Sequence, residues 1–176
     1  MWIFKNYKDL TLKEHQELLD IRNEEEIREA SNSKDVITLD KHLSWLKSTD
    51  GDYFALSIDD KIVGGVNYKL KDNVVTEWGI FFTKKNAPLI SSLATYMFIE
   101  YLFTKSNILY SEVLKTNQKA LKFNLYFGIT VLETTLDKYK LVLKKDVWVE
   151  HKLNKLKSLT KRVNSLVTIF KEVNVK

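Results

Sequence analysis

The stretch VVTEWGIFFTKKNAPLISSLATYMFIEYLFTKSNILYSEVLKTNQKALKFNLYF, residues Val74–Phe127, switches hydrophobic period three times. Val74–Phe82 is dense in β-branched and aromatic residues, the composition of a strand. From Leu89 to Phe103 the period lengthens. Leu93, Met97 and Tyr101 recur at every fourth position, and Tyr96 and Phe98 widen the stripe, so the spacing predicts a buried helix. Ile108–Leu114 returns to strand composition. Asn117–Phe127 reads as a second helix, capped by Asn117 and closed by Gly128. A strand–helix–strand–helix unit of this kind is the working centre of a small α/β domain.

Upstream, Thr11-Leu-Lys-Glu14 has the form of a capping box, with Leu18, Leu19 and Ile21 carrying a helix to Arg22. A short polar helix is expected over Glu24–Ala30, and an amphipathic one over Leu39–Lys47 with Thr38 as its cap. Residues 2–7 fit a first strand. Tyr53–Ile58 and Lys61–Tyr68 are strand runs joined by Asp59-Asp60, and Asp72-Asn73 turns the chain into Val74–Phe82. Three consecutive antiparallel strands result. Downstream, Ile129–Thr135 and Tyr139–Leu143 are further strands around Asp137-Lys138. A last helix is expected from Val147 to Val173, because Leu156, Leu159, Val163, Leu166, Phe170 and Val173 repeat in 3-4 steps.

Composition narrows the function classes. With 44% hydrophobic and 29% charged residues, the 176-residue chain is of globular type. It has no cysteine, which removes thiolate zinc ligands and a cysteine nucleophile. No window approaches roughly 18 consecutive apolar residues, and MWIFKNYKDL lacks a signal-peptide core, so a cytoplasmic chain is expected. The net charge of +5 resides in residues 151–176, which carry seven Lys/Arg against Glu172 alone and sum to +6. The body is near neutral, so no nucleic-acid surface is expected there. The basic last helix could contact a twin subunit, another partner or an acidic membrane surface. His15, His42 and His151 are scattered without acidic partners nearby, which argues against a metal site; His15 is expected exposed on the first helix. Trp2, Trp45, Trp78 and Trp148 read as core or interface aromatics.

The order β-α-α-β-β-β-α-β-α-β-β resembles that of the GCN5-related N-acetyltransferases (GNAT). Local pieces are most similar to the subgroup that acetylates nucleotide-linked amino sugars. Ile21-Arg22-Asn23 looks like the Arg-Asn pair ending that subgroup's first helix, and His42 follows at its helix-two position. Ile62-Val63-Gly64-Gly65-Val66 resembles the glycine-bearing third strand, and Glu77-Trp78-Gly79-Ile80 the fourth. Asn117-Gln-Lys-Ala120 resembles the start of the second cofactor helix. The likeness covers residues 1–145, with 146–176 as an appended basic amphipathic helix.

What the resemblance implies is an α/β (α+β) fold with a mixed, mostly antiparallel sheet flanked by helices. Its activity would be transfer of acetyl from acetyl-CoA, the co-substrate, to the amine of a small molecule. Coenzyme contacts would come from Ile80, Phe81, Phe82, Lys84, Lys85, Asn86, Leu89, Ile90, Asn117 and Asn124. Glu77 would serve as base, with Asn67 ordering a water, and Arg22, His42 and Glu112 would hold the acceptor. Two positions depart from the family pattern. The phosphate loop, Thr83-Lys-Lys-Asn-Ala-Pro-Leu-Ile90, contains no glycine, leaving Lys84 and Lys85 to supply positive charge. The usual tyrosine acid seven residues after Asn117 is Asn124, and Tyr126, the phenol next along, lies about 200° round the helix. A GNAT-like fold that has lost catalysis and binds a ligand or partner is the alternative reading.

Overall fold

Two-residue turns set the middle of the chain. Asp59 and Asp60 take φ of 49° and 63°, and Asp72 and Asn73 take 50° and 60°. Paired left-handed residues form the tight turn whose twist matches antiparallel strands, and Asp and Asn tolerate that region best after glycine. The computed structural model describes residues 1–85 and 88–172. Its strands are β1 (Trp2–Asn6), β2 (Asp52–Ile58), β3 (Lys61–Lys71), β4 (Val74–Phe82), β5 (Ile108–Leu114), β6 (Thr130–Thr134), β7 (Lys138–Lys144) and β8 (Thr168–Lys171). They are hydrogen-bonded in the order β6-β7-β5-β4-β3-β2-β1-β8. The helices are α1 (Leu12–Arg22), α2 (Glu25–Glu29), α3 (Leu39–Leu46), α4 (Pro88–Leu102), α5 (Gln118–Tyr126), α6 (Lys145–Lys155) and α7 (Lys157–Val163). Residues cluster into two units, Met1–Asn67 with Ile80–Ala87 and Leu166–Lys176, and Tyr68–Gly79 with Pro88–Ser165.

In the first unit, β1 runs antiparallel to β2, with Trp2 opposite Ile58 and Asn6 opposite Phe54. The Thr11–Glu14 capping box forms in full: the Glu14 amide donates to the Thr11 hydroxyl, and the Glu14 carboxylate accepts from the Thr11 amide at 2.7 Å. It starts α1, whose Leu18 and Ile21 pack with Tyr7, Ile27, Ala55 and Ile62 as one core. Thr38 caps α3 as expected. Gly65 has a packing reason. A Cβ there would lie 2.5 Å from the Tyr7 hydroxyl and 2.7 Å from the Phe81 ring.

The single terminal helix does not exist. The chain leaves helical geometry at Leu156 (φ −111°, ψ 22°), resumes as α7, and ends after Val163. Thr168–Lys171 then runs parallel to β1, with Thr168 opposite Trp2 and Lys171 opposite Lys5. Leu156 and Leu159 are buried as the heptad spacing requires. Beyond them, however, Val167-Thr168-Ile169 is a β-branched run that favours extended backbone. Phe170 stacks on Phe4 with ring centroids 4.2 Å apart, a contact available only to a strand beside β1.

In the second unit, α4 buries Leu93 through Ile99 without interruption, so it is covered on every side. Tyr96 meets Thr160 of α7 at 3.0 Å and packs edge-on against Trp148 of α6. β5 pairs antiparallel with β7 from Ile108–Lys144 to Leu114–Lys138. β6 adds beside β7, with a register shift between Val131 and Glu133. Gly128 takes φ +78° after α5, and a Cβ there would lie 2.7 Å from the His151 ring.

Candidate active site

In the second unit the pairing of β4 with β5 is recorded at one position, Val75 with Leu109, while β5 pairs with β7 at all seven of its residues. Val75 N–H donates instead to Ser106 Oγ at 3.3 Å. Past that point the facing edges of two parallel strands share no ladder among the described residues, which is the geometry that lets an extended ligand pair with backbone. Glu77, on β4, is exposed and forms an ion pair with Lys69 at 3.8 Å. Glu112, on β5, is exposed and accepts from Lys138 Nζ at 2.8 Å. That hydrogen bond and charge raise the Lys138 pKa, and Asp137 and Glu77 add to it. One lysine, unnoticed in the sequence, thus lies in the field of both carboxylates.

α5 begins on Asn117, whose Oδ1 accepts from the Ala120 amide at 3.0 Å. Asn124 bonds back along the same helix, its Nδ2 donating to Ala120 O at 2.8 Å. Tyr126 is 51% exposed, with its ring edge-on to Phe127 and its carbonyl 2.9 Å from His151 Nε2. The structure therefore does not bring its phenol and Asn124 together, in keeping with their angular separation on the helix. On α4, Leu89 is exposed and Ile90 half-buried, in the turn that follows Pro88.

The first unit holds the rest. Asn67 is half-buried at the end of its stretch of β3, and Ile80, Phe81 and Phe82 are half-buried along β4. Asn86 lies outside the described residues. Thr83, Lys84 and Lys85 follow β4, and a carboxylate from the α1–α2 junction organises them. Glu24 accepts from Thr83 Oγ1 at 2.5 Å and from the Lys84 amide at 3.3 Å. Glu26 pairs with the Lys84 ammonium. The Lys84 charge that the sequence offered to a phosphate is thus already matched within the protein, while Lys85 is exposed.

Arg22, Asn23 and Glu24 act as a junction. Asn23 donates to Ile37 O and accepts from Ile37 N, both at 2.9 Å, which fixes the end of α1 to the segment entering α3. Arg22 Nη1 is buried without a hydrogen-bond partner. Burial lowers the Arg22 pKa, and Tyr7 opposes the shift. Tyr7 in turn is pushed above its ordinary value by burial, against the pull of Arg22. His42 is buried, with its ring 5.7 Å from Tyr7 and 5.7 Å from Trp45. Trp45 and Tyr53 meet edge to face at 4.7 Å. Arg22 and His42 are thus brought together around Tyr7, beside a group of aromatic rings.

His15 corrects the expectation of exposure. It is 4% exposed, with Nδ1 3.0 Å from His42 Nε2. Burial, then His15, lowers the His42 pKa to about 4, and burial also lowers that of His15. The reason is positional: His15 faces inward with Leu18 and Leu19, on the side of α1 that packs. That spacing was visible in the sequence, whereas the partner 27 positions away and the Glu24–Thr83 bond carry no local signal. Among the described residues no group of three or more His, Asp or Glu side chains is placed to hold a metal ion, and no helix is long and apolar enough to cross a membrane.

No protein-family model matches the chain. It is 28% identical over 146 residues to the acetyltransferase PseH of Campylobacter jejuni, covering 80% of this chain and 92% of that protein. The crystal structure of C. jejuni N-acetyltransferase PseH in complex with acetyl coenzyme A superposes with a TM-score of 0.67 at 23% identity, over 82% of this chain and 99% of that one. FdhC, a nucleotide-linked sugar GNAT, gives 0.64 at 17% identity over 85% and 92%. The aminoglycoside acetyltransferase AAC(6′)-Ib with coenzyme A gives 0.68 at 11% identity over 86% and 99%. The chain has the GNAT fold, and its likeness to PseH extends over 80% of its length.

Proposed function

We propose that this protein is an acetyl-CoA-dependent N-acetyltransferase whose acceptor is the amine of a nucleotide-linked amino sugar. The observation that carries the reading is the β4–β5 pair, bridged at Val75–Leu109 and open beyond it. Its parallel edges offer amides and carbonyls to the pantetheine arm as a further strand would. Similarity to PseH and FdhC supports both the donor and the class of acceptor.

The residues divide the work. In the first unit the backbone of Ile80, Phe81 and Phe82 offers pairing to the arm, and in the second unit Asn117 and Asn124 on α5 are the side chains proposed for the coenzyme. The first turn of α4, at Leu89 and Ile90, meets the pyrophosphate with free N–H groups and the positive end of its dipole. In the first unit Lys85 offers positive charge to an anion, and Lys84 is held by Glu26 until phosphate competes for it. Glu77 takes the proton that makes the amine a nucleophile, directly or through a water ordered by Asn67. Tyr126 is the one phenol on α5 and the proposed donor to the departing thiolate, although it projects from another face of the helix than Asn124. Arg22 offers its unpartnered Nη1 to a phosphate or base oxygen, and His42 adds a second polar contact against the aromatic rings. Glu112 holds a sugar hydroxyl or the amine. A cytoplasmic location follows from the need for acetyl-CoA.

A second reading is a GNAT fold that binds its ligand without turnover. It is favoured by Glu24, whose carboxylate occupies the Lys84 amide in a loop that contains no glycine. One experiment separates the two: acetyl-CoA and UDP- or dTDP-linked 4-amino sugars are mixed with pure protein and free thiol is followed, with calorimetry of acetyl-CoA alone alongside. Thiol release supports the enzyme. Binding without release supports the second reading, and absence of binding at millimolar acetyl-CoA overturns the coenzyme site.

A further inference from the structure

The acetyl transfer described above makes no use of His15. Yet it is buried, and its Nδ1 lies 3.0 Å from Nε2 of His42, itself buried. At that separation one nitrogen carries the hydrogen and the other accepts it; two N–H groups would clash and two lone pairs would repel. Because the shared bond uses His42 Nε2, only Nδ1 of that ring remains for a ligand. Its character is decided by the neighbour. If His15 Nδ1 carries the hydrogen, the proton of a neutral His42 ring must sit on Nδ1, which is then a donor. In the opposite arrangement, His42 Nδ1 is a bare acceptor.

The surroundings select between these states. Lys5 on β1 and Glu14 on α1, the charged groups in the field of His15, are bonded to each other at 2.8 Å. Tyr7, from the turn after β1, packs on His42 and shares the field of Arg22. The guanidinium has only donors, and its Nη1 has no partner. A ligand that satisfies Arg22 is therefore rich in acceptor oxygens, and a second donor matches it where a lone pair would repel it.

We propose that His15 is a specificity-determining positioning residue: its Nδ1–H donates to His42 Nε2, holding the His42 proton on Nδ1 as a donor, beside Arg22, for an oxygen of the acceptor substrate. This rests on the reading of Arg22 and His42 as the acceptor subsite. The tautomer itself can be read in the protein without any substrate.

Long-range proton–nitrogen correlation spectra of the ¹⁵N-labelled full chain at pH 7.5 read it directly. Both rings are expected as the neutral Nδ1–H form; a His42 ring protonated on Nε2 overturns the proposal whether or not the protein is an enzyme. The second arm uses His15→Asn, which keeps an N–H near the Nδ1 position, and His15→Leu, which does not. In His15→Leu the KM for the amino-sugar nucleotide should rise about tenfold, the cost of one unpaired polar contact, with the KM for acetyl-CoA unchanged. His15→Asn should restore it to within about threefold of wild type. Equal rises in both substrates' KM, or no rescue by asparagine, overturns the positioning role. If wild type turns over no amino sugar, the acceptor reading fails instead, and the spectra alone decide the tautomer.

Discussion

Mild acid should destabilise this protein through His42. The ring is 6% exposed and faces a second buried imidazole at 3.0 Å, so the native state holds it neutral down to about 4, against an ordinary 6.5. Between those values the unfolded chain binds a proton that the folded chain refuses. The unfolded state therefore gains as pH falls: nothing is lost above 6.5, the loss grows below it, and it is complete below about 4. The full gap corresponds to about 3 kcal/mol. Integrated from neutral pH to pH 5, it comes to about 2 kcal/mol, a large share of the stability of a domain this size. His15, also lowered by burial, adds in the same direction. Urea unfolding of wild type and His42→Gln at pH 7.5 and pH 5.0 isolates the term, because the carboxylates are common to both proteins. Wild type should lose about 2 kcal/mol more than the variant across the interval. Equal losses would show that the pair is not held neutral, and the account of its burial would fail.

Three further outcomes follow from contacts already described. Gly65→Ala should lower stability by about 1–3 kcal/mol, since the new methyl meets the Tyr7 hydroxyl and the Phe81 ring; an unchanged melting temperature would contradict that packing. Phe170→Ala should cost about 2 kcal/mol and speed hydrogen exchange of β1 amides, and unaltered β1 protection would mean that β8 is not anchored by the Phe4 stack. Asn117→Ala should cost about 1 kcal/mol through loss of the α5 cap, while Asn117→Ser restores stability. If the serine variant also restores acetyl-CoA affinity in calorimetry, Asn117 acts as a cap and not as a coenzyme contact.

The short segment Arg22-Asn23-Glu24 shows how a fold can link separate tasks at low cost. Its three side chains present a guanidinium with one buried nitrogen left unpartnered, bond both polar groups of the Ile37 backbone, and hold the loop after β4. Asn23 makes the other two possible, because it fixes the backbone from which they project. In the sequence Arg22 and Asn23 were legible as a helix end and, through the family resemblance, as an Arg-Asn pair, whereas the hold of Glu24 on the loop after β4 was not legible. A helix terminus leaves unsatisfied carbonyls and invites polar residues whether or not they have a further role.

Local chemistry determined much of this protein from the sequence alone. A capping box, two left-handed two-residue turns, an asparagine cap and a closing glycine each act within four residues, and each placed its element within about three residues. Hydrophobic period then told strand from helix, because the 2.0 and 3.6 repeats reflect a side chain's own backbone. Tertiary structure decided the rest, where the deciding partner is far along the chain. Thr168–Lys171 became a strand because β1, at the other end of the sequence, offered an open edge and Phe4 a face for Phe170 to stack on. Glu77 and Glu112, equivalent as isolated strand carboxylates, met Lys69 and Lys138 on neighbouring strands only in the folded sheet. His15, one residue of an ordinary amphipathic helix, acquired its buried partner only when α3 packed against α1. Such pairings depend on side chains meeting across the fold, and no short-range preference of the backbone encodes them.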